Sequence, residues 1–125
     1  MITSVPGSSD YFKGAVVSYA NEVKIGVLGV DEKDIEREGA VSETVVLQMV
    51  QGVKRLMNTD YAVSTSGVAG PDGGTPEKPV GTIWIGVATP EKVFARKFVF
   101  SFTRERNIAK AAAKALELVM SEIEL

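Results

Sequence analysis

The stretch from Ser66 to Thr82, SGVAGPDGGTPEKPVGT, constrains this chain more than any other. It lies between two apolar runs, Tyr61 to Val63 and Ile83 to Ala88, so it joins two expected core strands. Five of the 12 glycines and three of the 5 prolines fall within it. Proline fixes φ and donates no backbone hydrogen bond, whereas glycine reaches positive φ without steric cost. A strand-to-strand connection of this length is far above the usual, and long ordered loops are often functional. Successive glycine NH groups can form an anion-binding concavity. A rigid surface turn is the plainer reading of the same composition.

The remaining pattern is that of one domain over residues 1–125. Ala15 to Ala20 is expected to be a buried strand. Asn21 then caps a short helix from about Glu22 to Leu28, stopped by Gly29. Asp31 caps a second, Glu32 to Glu38, closed by Gly39. Ser42 opens a longer helix, with Val41 and Val46 placed as a hydrophobic staple. Val46, Met49, Val50, Val53 and Met57 share one face of it. Strands follow at Tyr61–Ser66, Thr82–Ala88 and Lys92–Phe100, the last two forming an antiparallel hairpin. Thr103 caps a final helix from Arg104 to about Glu122, with an apolar stripe of Ile108, Ala112, Ala115, Val119 and Ile123. This order predicts a layered α/β domain with a mixed central sheet of four strands.

Composition narrows the chemistry. The chain has no cysteine and no histidine. Acid–base work near neutral pH would therefore fall to Lys, Tyr, Asp, Glu or water. A net charge of −2 argues against a broad nucleic-acid surface, while leaving room for one local basic site. No apolar run has the length of a membrane span, and no signal-peptide pattern opens the chain, so a cytoplasmic protein is expected.

Several residues are candidates for chemistry. Tyr19, Asn21 and Lys24 fall at the first strand-to-helix junction. A lysine in the first helical turn loses affinity for its proton to the helix dipole and to desolvation, and a neutral lysine can act as a base. A solvated lysine beside a packed tyrosine is the plainer alternative. Asp72 can accept from loop NH groups, in an Asx-turn or toward a ligand. Lys78 can meet an anion or lie exposed. Arg104, opening the last helix, can hold a phosphate or carboxylate jointly with helix NH groups. Ser8, Ser9, Ser64 and Ser66 are the candidate hydroxyls, without a specific nucleophile signature.

The segments from Val5 to Phe12, Gly14 to Lys24, Gly39 to Glu43 and Ser66 to Thr82 together resemble the CinA carboxy-terminal domain family. The resemblance covers essentially the whole chain. It implies an amidohydrolase that converts nicotinamide mononucleotide to nicotinate mononucleotide and ammonia, with a serine nucleophile, a lysine base and neither metal nor cofactor. On that pattern Lys24 matches the base and Tyr19 its tyrosine partner. Asn21, Gly70, Asp72, Gly73, Gly74 and Arg104 are the substrate-binding candidates. Ala20 stands where the family motif has serine, and Phe102-Thr103 where it has Gly-Asp. The family's nucleophile lies in a Glu-Ser-Cys-Thr-Gly-Gly segment that joins a first strand and helix. This sequence starts after that point and has no match for it. The resemblance thus implies a domain without its first strand and helix, with little or no amidase activity alone. It also implies a small-molecule nucleotide partner, no nucleic-acid or membrane partner, and a homo-oligomer covering the open surface. A nucleotide-binding regulatory module and an interaction module are the alternatives.

Overall fold

The computed structural model describes residues 6–7 and 12–123, so Ser8 and Ser9 lie outside the described residues. Seven elements follow in order: α1 (Asn21–Gly26), α2 (Glu32–Glu38), α3 (Glu43–Met57), β1 (Ala62–Gly67), β2 (Thr82–Ala88), β3 (Val93–Val99) and α4 (Arg104–Ile123). The strands form one sheet in the order β1-β2-β3. Both ladders are antiparallel, with Ser66 opposite Trp84 and Trp84 opposite Lys97. The layered α/β class is as expected. The expected strand at 15–20 forms no ladder among the described residues, so the described sheet has three strands, all antiparallel. That segment still alternates, with Val16, Ser18 and Ala20 half-buried and Ala15, Val17 and Tyr19 exposed. Alternation marks a chain with one face on the protein, but a strand also needs a hydrogen-bonded neighbour.

Local chemistry sets most helix ends. Asp31 caps α2 by accepting from Lys33 N at 2.8 Å, and Ser42 caps α3 by accepting from Val45 N at 3.3 Å. Thr103 Oγ1 accepts from Arg106 N at 3.3 Å at the start of α4. Asn21 does not cap α1: it is already helical, and the cap position falls on Ala20, whose side chain offers no acceptor.

The sheet is sandwiched. On one side α3 lies close, because Gly86 has no side chain: a Cβ there would sit 2.8 Å from the Val46 carbonyl oxygen. Ser64 donates to the same carbonyl at 2.8 Å and Ser66 to Ala40 O at 2.8 Å, which makes both hydroxyls structural. On the other side Ile83, Ile85 and Val87 pack with Ala111 and Ala115 of α4, flanked by Phe94, Phe98 and Phe100. Fully burying side chains such as Ile85 and Val87 stabilises by about 1.5–3 kcal/mol each. A second cluster joins Leu28, Val30 and Ile35 to Val45 and Met49, laying α1 and α2 on the far side of α3.

The stripe of α4 agrees with the expected one at Ala115, which is buried, and Val119, which packs on the same cluster, but toward the helix start it shifts to the buried Asn107 and Ala111, leaving Ile108 half exposed and Ala112 exposed, and Ile123 at the far end is half exposed too. A buried polar residue in the stripe has no hydrophobic signature, so apolar periodicity chose a neighbouring phase. No helix among the described residues is long and apolar enough to cross a membrane.

Candidate functional site

Lys24 is the fourth residue of α1, and 6% of its surface is exposed. Its Nζ donates to the Ser18 carbonyl oxygen at 2.7 Å. Burial pushes the amine's pKa below the ordinary lysine value, because the charged form loses water. The backbone holds the residue firmly, with Lys24 N donating to Ala20 O at 3.3 Å and Val30 N donating to Lys24 O at 3.0 Å. A buried amine with one carbonyl acceptor and a weakened hold on its proton can take a proton from a neighbouring hydroxyl.

Its expected companions sit differently. Tyr19 is 88% exposed, and its hydroxyl has no hydrogen-bond partner among the described residues. Asn21 is exposed at the first position of α1.

The glycine-rich connection packs chiefly on itself. Val68 N donates to Thr82 O at 2.9 Å and Gly81 N to Val68 O at 2.6 Å, continuing the β1–β2 pairing into the loop. Val80 turns inward. A Cβ on Gly70 would lie 2.4 Å from its Cγ1, and one on Gly74 would lie 2.7 Å from its backbone nitrogen. Gly70 also holds φ +89°, a conformation L side chains rarely adopt. Close packing on Val80 therefore already requires these two glycines. Pro71 to Glu77 form an exposed rim, and Asp72 makes no side-chain hydrogen bond among the described residues. Lys78 donates from Nζ to the Glu38 carbonyl, pinning the loop to the end of α2.

Two residues of α4 clamp the base of the loop. Arg104 Nη1 donates to Gly70 O at 3.0 Å. Asn107, 4% exposed, donates from Nδ2 to Ala69 O at 2.9 Å and to Phe102 O at 3.2 Å, while its Oδ1 accepts from Phe102 N at 3.1 Å. The sequence reading missed Asn107; an asparagine one turn into a helix beside a glycine-rich loop was the available signal. Between loop, sheet and helix lies a mainly apolar cavity of about 240 Å³, lined by Val68, Ala69, Thr82, Phe100, Asn107 and Ala111 among others.

The predicted site residues thus fall into two groups, Lys24 with Tyr19 and Asn21, and Gly70 to Gly74 with Arg104. No hydrogen bond joins one group to the other among the described residues. No cluster of carboxylates there is arranged to hold a metal ion.

Comparison with known proteins agrees with this architecture. A family model, the CinA C-terminal domain, matches residues 1–123. A CinA-like protein of Salinibacter ruber is 52% identical over 93% of this chain, and one of Thermosynechococcus vestitus is 48% identical over 98%. Those matches cover 28% and 30% of the two relatives, so the chain spans about three tenths of their length. Among solved structures, the competence/damage inducible protein CihA from Agrobacterium tumefaciens superposes with a TM-score of 0.94 at 30% identity, covering 98% of this chain and 75% of that one. The competence damage-inducible protein A from Klebsiella pneumoniae gives 0.92 at 29% identity, covering 98% and 76%. The chain belongs to the CinA C-terminal domain family.

Proposed function

We propose that this chain carries the lysine half of a serine–lysine amidase acting on the carboxamide of nicotinamide mononucleotide. The observation that carries the reading is Lys24, an amine buried in the fold, bonded to one carbonyl and with a lowered pKa. A buried amine with a lowered pKa, in a protein without histidine, is where base chemistry would be sought.

In this reading the neutral amine takes the proton of a serine hydroxyl, and the alkoxide attacks the amide carbon. The carbon–nitrogen bond breaks, the lysine returns the proton to the departing nitrogen, and ammonia leaves. Water, deprotonated by the same amine, then hydrolyses the acyl-enzyme to the carboxylate. The serine belongs to the Glu-Ser-Cys-Thr-Gly-Gly segment of the family pattern. The exposed rim of Asp72, Gly73 and Gly74, with Arg104 at its base, would contact the nucleotide. Without that serine the amine has no hydroxyl to activate, and turnover should fall by orders of magnitude.

The test is ammonia release from nicotinamide mononucleotide by a polypeptide that joins the Glu-Ser-Cys-Thr-Gly-Gly segment to these residues. Lys24→Ala should abolish turnover and leave nucleotide affinity within a few fold. Undiminished turnover in that variant would remove Lys24 from the mechanism. A second reading, nucleotide binding without turnover, draws support from the exposed Tyr19, which stands in solvent. Nucleotide affinity with no ammonia from the joined polypeptide would select it.

A further inference from the structure

Charge is strongly segregated along this chain. Residues 92–114 hold seven of the 14 lysines and arginines and one of the 16 acidic residues, a local net charge of +6 within a protein of net −2. The tertiary structure gathers much of that charge on one seam. β3 is an edge strand, and Phe94, Phe98 and Phe100 turn to the side on which α4 packs. Cations lie over two of these rings, from the strand and from the helix. Lys92 and Arg96 stand 5.1 and 4.6 Å from the Phe94 ring centre, and Lys114 stands 5.5 Å from that of Phe98. Phe102 continues the row beyond the strand, with Arg106 at 4.8 Å and Lys110 at 5.5 Å.

Arg106, Lys110 and Lys114 follow one another at four-residue steps, about 6 Å apart along the helix. Two of the seam's cations have carboxylate partners, Lys92 with Glu122 at 3.0 Å and Lys114 with Glu117 at 3.3 Å. Arg96, Arg106 and Lys110 form no ion pair among the described residues. Charges on an edge strand commonly guard it against pairing with another sheet. That accounts for Lys92, Arg96 and Lys97. It does not call for Arg106 and Lys110 over a phenylalanine outside the strand and 44% exposed.

We infer that this seam is a track for single-stranded nucleic acid. The evenly stepped cations match a chain of phosphates, and Phe102 with the guanidinium over it offers a flat face to one base. An acidic protein surface would answer the cations but would leave that ring without a role. The inference is independent of the amidase reading, because neither Lys24 nor the glycine loop enters it.

The test is fluorescence anisotropy of a labelled oligothymidylate of about 12 nucleotides, within the usual range of single-strand site sizes, titrated with the 125-residue protein. A Kd of about 10 μM at 50 mM salt is expected, in the range of sequence-independent binding. With the three unpaired cations Arg96, Arg106 and Lys110 as phosphate contacts, log K should fall against log salt with a slope of about −2.1, roughly twentyfold between 50 and 200 mM. The double variant Arg106→Ala, Lys110→Ala should remove about two thirds of that slope. Phe102→Ala should weaken binding about tenfold and leave the slope unchanged, a separation that a merely unfolded variant would not show. Lys33→Ala and Arg37→Ala on α2 should change nothing. Three results would each overturn the inference. One is no binding at 50 mM salt. Another is equal loss from the α2 variants. The third is tighter binding of a polyglutamate peptide, with indifference to Phe102, which would assign the seam to an acidic protein.

Discussion

Replacing Gly52 with alanine sets two rules against each other. In an exposed helix interior, alanine is about 1 kcal/mol better than glycine. Gly52 lies inside α3 and is buried, and an added Cβ would stand 1.9 Å from the Leu28 carbonyl oxygen and 2.8 Å from its carbonyl carbon. Close carbon–oxygen contacts in proteins run at about 3.3 Å or more, so one backbone must retreat by roughly 1.4 Å. The α1–α2 connection is poorly placed to yield. Leu28 and Val30 are buried at 3% and 2% exposure against Val45 and Met49, and Val30 N is bonded to Lys24 O. Overpacking costs about 1–3 kcal/mol, and a clash with backbone belongs at the upper end. Subtracting the propensity gain leaves a net loss of about 2 kcal/mol, or a fall in Tm of about 6–10 °C for a chain of this size. Far-UV circular dichroism during heating measures it. Gly26, at the end of α1, is the control, because its added Cβ meets no atom within 4 Å. Gly26→Ala should be neutral or mildly stabilising. If Gly52→Ala melts at or above the parent, or Gly26→Ala falls as far, close approach is not what selects glycine at position 52.

Two further outcomes follow from the site. Asn107→Ala strips partners from Ala69 O, Phe102 O and Phe102 N, and should cost about 2–3 kcal/mol, since groups losing their partners in a buried setting carry most of that penalty. Asn107→Asp keeps the acceptor but sets a carboxylate against two carbonyls, so its Tm should lie at or below that of the alanine variant at pH 7; parity with the parent would refute the clamp. Lys24 has a folded pKa below its unfolded one, so the unfolded chain binds more protons between those values. Stability should therefore rise with pH through that window toward the ordinary lysine value, and fall as pH drops through the folded pKa. Lys24→Met should remove the rise and gain most over the parent at neutral pH, as read by urea unfolding across pH 7–10; parallel curves for the two proteins would show that the amine is hydrated in the fold.

Elements whose residues announce their own geometry were legible in advance. Asp31 and Ser42 mark helix starts by offering an oxygen to the free NH groups of the first turn, and both do so in the structure. The β2–β3 hairpin followed from a short turn between two alternating runs, and its antiparallel register runs from Thr82 opposite Val99 to Ala88 opposite Val93. The run at 15–20 misled because alternation reports burial of one face, whereas a ladder needs a neighbour that only the tertiary structure supplies. Lys24 was legible as a candidate, but its burial was not. Tyr19 lies between the half-buried Ser18 and Ala20, on the exposed side of the alternation, and the alternation alone does not say which side faces the protein.

The sequence by itself determined the helices, the hairpin, the long glycine-rich connection and the family pattern. These rest on interactions within a few residues, or on a motif written along the chain. Tertiary structure alone decided the rest. It set the phase of α4 at Asn107, the filling of the glycine loop by Val80, the burial that disfavours the charged form of Lys24, and the meeting of cations from β3 and α4 over one row of rings. Each of these depends on which atoms from distant parts of the chain exclude water from one another, and local propensity carries no record of that.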